Sequence, residues 1–95
     1  MTLAEAIRTG RTYIDQHWEE TVRISREETA EEIALPCPHT VPSTDPTMWL
    51  FFYWDTYFTN LGLLRQGRVA QARNNAENIL HLLERLGYVP NISVR

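Results

Sequence analysis

Residues 51–87 read FFYWDTYFTNLGLLRQGRVAQARNNAENILHLLERLG, and this stretch decides the fold. Its second half sets Val69, Ala72, Ala76, Ile79, Leu80, Leu83 and Leu86 at the 3.6 spacing of one helix face, and Gly87 stops it. Gly67 stops an earlier helical run, so helices are expected at roughly 52–66 and 68–86. A junction this short demands an antiparallel αα-hairpin. The two helices differ in character. The second carries Arg and Asn outward and apolar residues inward, whereas the first is apolar on nearly every side through Leu64. A helix apolar all round belongs inside a larger structure.

Upstream of the hairpin, residues 34–47 (ALPCPHTVPSTDPT) hold four of the five prolines. Proline fixes φ, removes a donor and biases its predecessor toward extended geometry, so this segment is an irregular strap. Before it, Leu3, Ala6, Ile7, Tyr13, Ile14, Trp18, Val22 and Ile33 support helix over 3–33, with Gly10 as a point of interruption. The charged stretch REETAEEI supplies a water-facing turn or two of that helix. The expected class is all-α in one partial domain: a helical arm at 1–33, an extended strap at 34–51, and the hairpin with a Pro-Asn turn at 52–95.

A chain of 95 residues buries only about 60% of the surface its unfolded state exposes, so a deep enclosed pocket is hard to build from it alone. The net charge is −3, which gives no electrostatic case for nucleic acid. All nine basic residues are Arg, and Arg65, Arg68 and Arg73 read as a solvated helix face. Cys37 is the only cysteine, so no intramolecular disulfide forms. The first residues lack an apolar h-region, and the apolar run from Trp49 to Trp54 is too short to span a bilayer. A cytoplasmic location without membrane association is the expectation.

Six of the ten aromatics fall within residues 51–58, and Asp55 sits in their midst. A buried carboxylate is costly unless hydrogen bonds or an opposite charge compensate it. Two readings follow. Asp55 is an N-cap accepting from Tyr57 or Phe58, or it meets a polar ligand. A pyranose suits the second reading, because its C–H faces pack on aromatic rings and its hydroxyls need charged acceptors. Other chemistry finds little support. Cys37 and His39 flank Pro38 with no third group to orient the imidazole, and Cys37, His39, His17 and His81 lack a metal-ligand spacing. The four scattered glycines form no phosphate loop.

LPCPHTVPS, followed by the aromatic run and the helix pair that ends in Val89-Pro90-Asn91, resembles the early part of the catalytic domain of α,α-trehalases. The likeness runs from about Leu35 to Asn91, and more loosely back through YIDQHWEETVR. It implies an (α/α)6 barrel, as in related six-hairpin glycosidases, and hydrolysis of trehalose with inversion, without metal or cofactor. Carried over by position, Trp54 and Asp55 would line the subsite of the cleaved glucose, and Asn91 would also reach the sugar. The resemblance implies no catalytic residue within this chain. The acid and base of an inverting enzyme stand roughly 6.5–9.5 Å apart, and in the family both come from beyond the point matching Arg95. One departure bears on specificity. The family has Pro-Gly-Gly-Arg-Phe before the aromatic run, and here the substrate-binding Arg falls at Thr47 and the Phe at Met48.

Two functions are therefore expected. The first is a piece of a trehalase-type glycosidase that supplies one wall of a glucose subsite. The second is a non-catalytic helical remnant that associates with itself or a partner through its aromatic helix.

Overall fold

Thr2 opens the first helix. Its hydroxyl accepts from the Glu5 amide (3.1 Å) and the Glu5 carboxylate accepts from the Thr2 amide (2.9 Å), which satisfies two of the donors a helix start leaves free. In the computed structural model, which describes residues 1–94, α1 runs Leu3–His17 straight through Gly10. The His17 ring stacks on Tyr13 at 3.9 Å, and its Nδ1–H donates to the Tyr13 carbonyl. A single 3-10 turn, Trp18–Thr21, follows, and β1 then begins at Val22.

The helical arm therefore ends at residue 17 rather than 33. The residues beyond it have a stronger use for their backbone groups. Val22–Arg23 (β1) pairs antiparallel with His39–Thr40 (β2) of the strap, and the seam extends through Val41 N–H to Thr21 O (2.8 Å) and Leu35 N–H to Ser25 O (2.7 Å). Ile33, read as the last apolar position of a helix, lies in the core. Within REETAEEI the Thr29 hydroxyl accepts from the Glu31 and Glu32 amides, a local turn that competes with helix.

The hairpin forms as the spacing predicts. Helix α2 spans Tyr53–Arg65 and α3 spans Val69–Leu86. Gly67 (φ 74°) and Gly87 (φ 79°) take the left-handed conformation that ends a helix at no steric penalty, and the Gly87 amide donates to Leu83 O. Helix makes up 56% of the chain, beside the small two-stranded sheet. Among the described residues no helix is long and apolar enough to cross a membrane.

The core lies between α3 and the extended segments, where Ile33, Leu35, Phe51 and Leu82 are buried with Ile79 and Leu86 packed against them. Two asparagines hold the strap onto α3, and both were expected on its outer face. Asn75 and Asn78 are fully buried. The Asn78 amide accepts from Cys37 N–H and donates to Cys37 O, both at 3.0 Å. Asn75 accepts from Thr40 N–H (3.1 Å) and donates to Thr40 Oγ1 (3.0 Å) and Asn60 Oδ1 (2.9 Å). Gln71 adds a bond to Pro38 O at 2.9 Å. A carboxamide offers one acceptor and two donors, much as a neighbouring strand would, and it supplies them here to a strap whose prolines prevent continuous pairing.

Residues 91–94 close the fold. Ser93 N–H donates to Phe51 O, Ser93 Oγ accepts from Phe51 N–H, and Ser93 O accepts from Ile33 N–H. Arg68, expected in solvent, instead ties the start of α3 to the arm. Its guanidinium reaches Glu19 at 2.6 Å and Asp15 at 3.3 Å, and donates to the Asp15 carbonyl. Pairs this exposed are screened by water and add little to stability.

Candidate functional site

Helix α2 presents different chemistry on each side. Thr56 and Leu63 face inward and are buried. The next face carries Tyr53, Trp54, Tyr57, Phe58, Leu61 and Leu64, which line an open groove of about 640 Å³. Trp54, Tyr57 and Phe58 are each about three-fifths exposed, with Phe58 packed edge-on against the other two rings. A third stripe, at helical spacing, holds Asp55, Thr59, Gly62 and Gln66. Trp18 covers the far end of that stripe, its ring over Gly62 and its Nε1–H bonded to Gln66 Oε1.

Asp55 is not the cap of α2. The cap position belongs to Phe52, in extended geometry (φ −107°, ψ 130°) and without a side-chain hydrogen bond. Asp55 stands in the first turn, half-buried, and its carboxylate accepts no hydrogen bond from any described residue. The positive end of the helix dipole favours a charge there, and no side chain among the described residues holds it.

The three residues expected to meet a sugar are distributed as follows. Trp54 lines the aromatic groove. Asp55 lies one position round the helix and is not among the groove's walls. Asn91 reaches the mouth of α2 through its main chain, its carbonyl accepting from Tyr53 N–H at 2.8 Å, and the residue is exposed. Residues 55 and 91 thus belong to adjoining segments, because the Phe52–Ile92 bridge returns the chain to the start of α2.

Just upstream, Thr47 has no free hydroxyl proton to offer. Thr47 Oγ1 donates to Asp45 Oδ1 (2.9 Å), which also accepts from Thr47 N–H (3.0 Å). These bonds hold the Asp45 carboxyl below its ordinary pKa. A guanidinium does reach this loop, but from β1: Arg23 lies over the Trp49 ring, 4.1 Å from its centroid. No local pattern of residues signals that pair, since it depends on β1 meeting the strap.

The Cys37–His39 pair holds no nucleophile geometry. His39 is fully buried and both ring nitrogens are engaged, Nδ1–H donating to Thr40 O and Nε2 accepting from the Ser25 hydroxyl. It is a core histidine.

Residues 2–94 match the trehalase family. The chain belongs to that family. It is 35% identical over 83 residues to the periplasmic trehalase of Xanthomonas campestris pv. campestris strain B100, covering 85% of this chain and 14% of that protein. The periplasmic trehalase of Xanthomonas axonopodis pv. citri strain 306 is 34% identical over the same shares of the two chains. That of Pseudomonas aeruginosa PAO1 is 36% identical over 59 residues, which is 62% of this chain and 10% of the relative. The chain thus spans about 14% of the length of the Xanthomonas trehalases it matches. These names also correct the cytoplasmic expectation, because the trehalases that this chain matches here are named as periplasmic. The expectation had rested on the missing h-region, which is no guide to compartment in a chain covering so small a share of its relatives.

Proposed function

We propose that this chain forms one wall of the glucose-binding subsite of a trehalase-type glycosidase acting in the periplasm. Trp54 offers an apolar ring face to a pyranose, Asp55 accepts from its hydroxyls, and Asn91 adds an amide from the neighbouring segment. The observation that carries this reading is the Asp55 carboxylate, half-buried at the mouth of α2, beside an exposed tryptophan and without a partner among the described residues. A site that must desolvate a sugar hydroxyl needs such an acceptor in reserve. The groove face is then covered by the remainder of an (α/α)6 barrel. Cleavage with inversion requires an acid and a base on opposite sides of the bond, and Asp55 alone cannot serve as both. Thr47, bonded to Asp45, cannot replace a forked guanidinium, so recognition of the substrate differs from that of trehalases bearing the Arg.

Two experiments test the reading. A full-length trehalase carrying this segment, crystallised with a glucose-ring inhibitor, should show Asp55 oxygens within hydrogen-bond distance of ring hydroxyls. A sugar bound away from α2 would overturn the assignment. The 95-residue chain alone should release no glucose from trehalose. Measurable turnover would mean that an acid–base pair exists within it.

A second reading, a non-catalytic helical protein, is favoured by one observation: the exposed Trp54, Tyr57 and Phe58 face. Aromatic side chains cover about 150–250 Å² each, and soluble monomers rarely leave such a patch open. On this reading the chain forms a discrete dimer through α2. Sedimentation showing a monodisperse monomer with a cooperative thermal transition would defeat it.

A further inference from the structure

We propose that the seam between residues 21–25 and the strap is an acid-sensitive latch, held shut by the neutral imidazole of His39. The seam is short, consisting of the β1–β2 pair and the flanking bonds at Val41 and Leu35. His39 joins three segments across it. Nε2 accepts from Ser25 Oγ at 2.8 Å, Nδ1–H donates to Thr40 O at 3.1 Å, and the ring meets Phe51 edge-on at 5.6 Å. These bonds use the one donor and one acceptor of the neutral ring, and a second proton would place a cation where no water reaches it.

Among the described residues, the groups facing His39 give that cation no anionic partner. β1 contributes Arg23, of like charge, and the next residues contribute the Ser25 hydroxyl. The strap contributes the Thr40 carbonyl, and Phe51 an apolar ring. Behind the strap, α3 presents the neutral amides of Gln71 and Asn75. Burial above all lowers the imidazole pKa, the Thr40 bond opposes this in part, and Arg23 adds to the lowering.

The direction of the response follows. Opening the seam returns the imidazole to water and to its ordinary proton affinity, so the open form binds more protons than the closed form. The closed seam is therefore most favoured above the ordinary histidine pKa of about 6.5, and that preference is lost as pH falls through the lowered value. Opening also withdraws Arg23 from Trp49, releasing the loop that leads into α2.

Hydrogen exchange on the whole chain, expressed as protection factors at about pH 7.5 and about pH 5, tests the latch. Protection of the Val41 and Leu35 amides should fall at least about fivefold at the lower pH, while amides near Leu82 in α3 change less than about twofold. His39→Gln keeps a donor and an acceptor on a side chain that does not titrate, and should flatten the response. Equal wild-type protection at both pH values would overturn the proposal, as would an equally large loss in the variant. If His39→Gln does not fold, the wild-type imidazole decides by NMR titration. A His39 midpoint at or above that of an unfolded reference peptide would also overturn it.

Discussion

Replacing Asp55 by Ala in a full-length trehalase that carries this segment is expected to lower kcat/KM by about a thousandfold or more, near 4 kcal/mol of transition-state binding. The size follows from what would be left behind. Sugar hydroxyls that give up water must find an acceptor, and charge-assisted bonds to a carboxylate are about twice as strong as neutral ones. Asp55→Asn, which keeps the shape and one acceptor oxygen, should fall between wild type and Ala. The same substitution should scarcely touch the fold. Asp55 accepts no bond from a described residue, so only the favourable helix-end charge is lost, no more than about 1 kcal/mol. Activity and stability thus separate. A kcat/KM within a few fold of wild type, or a melting loss that accounts for the lost activity, would return Asp55 to a structural role.

The largest expected loss of stability comes from Asn75→Leu. Leucine fills a similar volume and takes away four hydrogen bonds, those with Thr40 N–H, Thr40 Oγ1, Asn60 Oδ1 and Gln71 Nε2. Thr40 N–H is then the critical orphan, because Thr40 is buried and, among the described residues, its proline-bearing strap has no strand on that side. An unsatisfied buried donor or acceptor costs about 1–3 kcal/mol, so two or three together reach about 3–5 kcal/mol. At about 4–8 °C per kcal/mol for a domain of this size, melting should fall by about 15–30 °C at fixed chain concentration. Asn74→Ala, one residue away and without a side-chain bond in the network, should change stability by no more than about 0.5 kcal/mol. Equal melting for the two variants would show that the strap does not depend on the amides.

The contrast between these neighbours explains what the residues reveal in advance. Periodic apolar positions and two glycine stops located α2 and α3 to within a residue, because those signals act locally. Asn75 and Asn78 carry no local sign of being inside. A carboxamide belongs indoors only when a backbone needs it, and that backbone lies 35 and 41 residues away. The arm misled for a related reason. Val22 and Ile33 fit a helical period, but the strap offered residues 21–25 a strand partner, and Thr29 offered the next residues a turn. Arg68 reads as a solvated cation until α1 brings Asp15, and the turn after it Glu19, within reach. At the mouth of α2, Trp54 and Asp55 stand out in the sequence because an aromatic run with one carboxylate is unusual in itself, and their contact with a sugar is a proposal. Arg23 over Trp49 does not stand out, since only the β1–β2 pairing brings them together.

The amide staples and the Ser93 bonds also impose an order on synthesis. The strap is made well before its partners, and its Cys37 and Thr40 groups stay open to water until the turns carrying Asn75 and Asn78 have emerged. Phe51 and Ile33 wait longer still, for Ser93. Such distant pairings close late, because loop entropy is spent before the contact repays it. A nascent chain halted between residues 86 and 93 would therefore hold a formed hairpin and a stapled strap with Phe51 and Ile33 still unfastened, an exposed intermediate for proteases or chaperones to find.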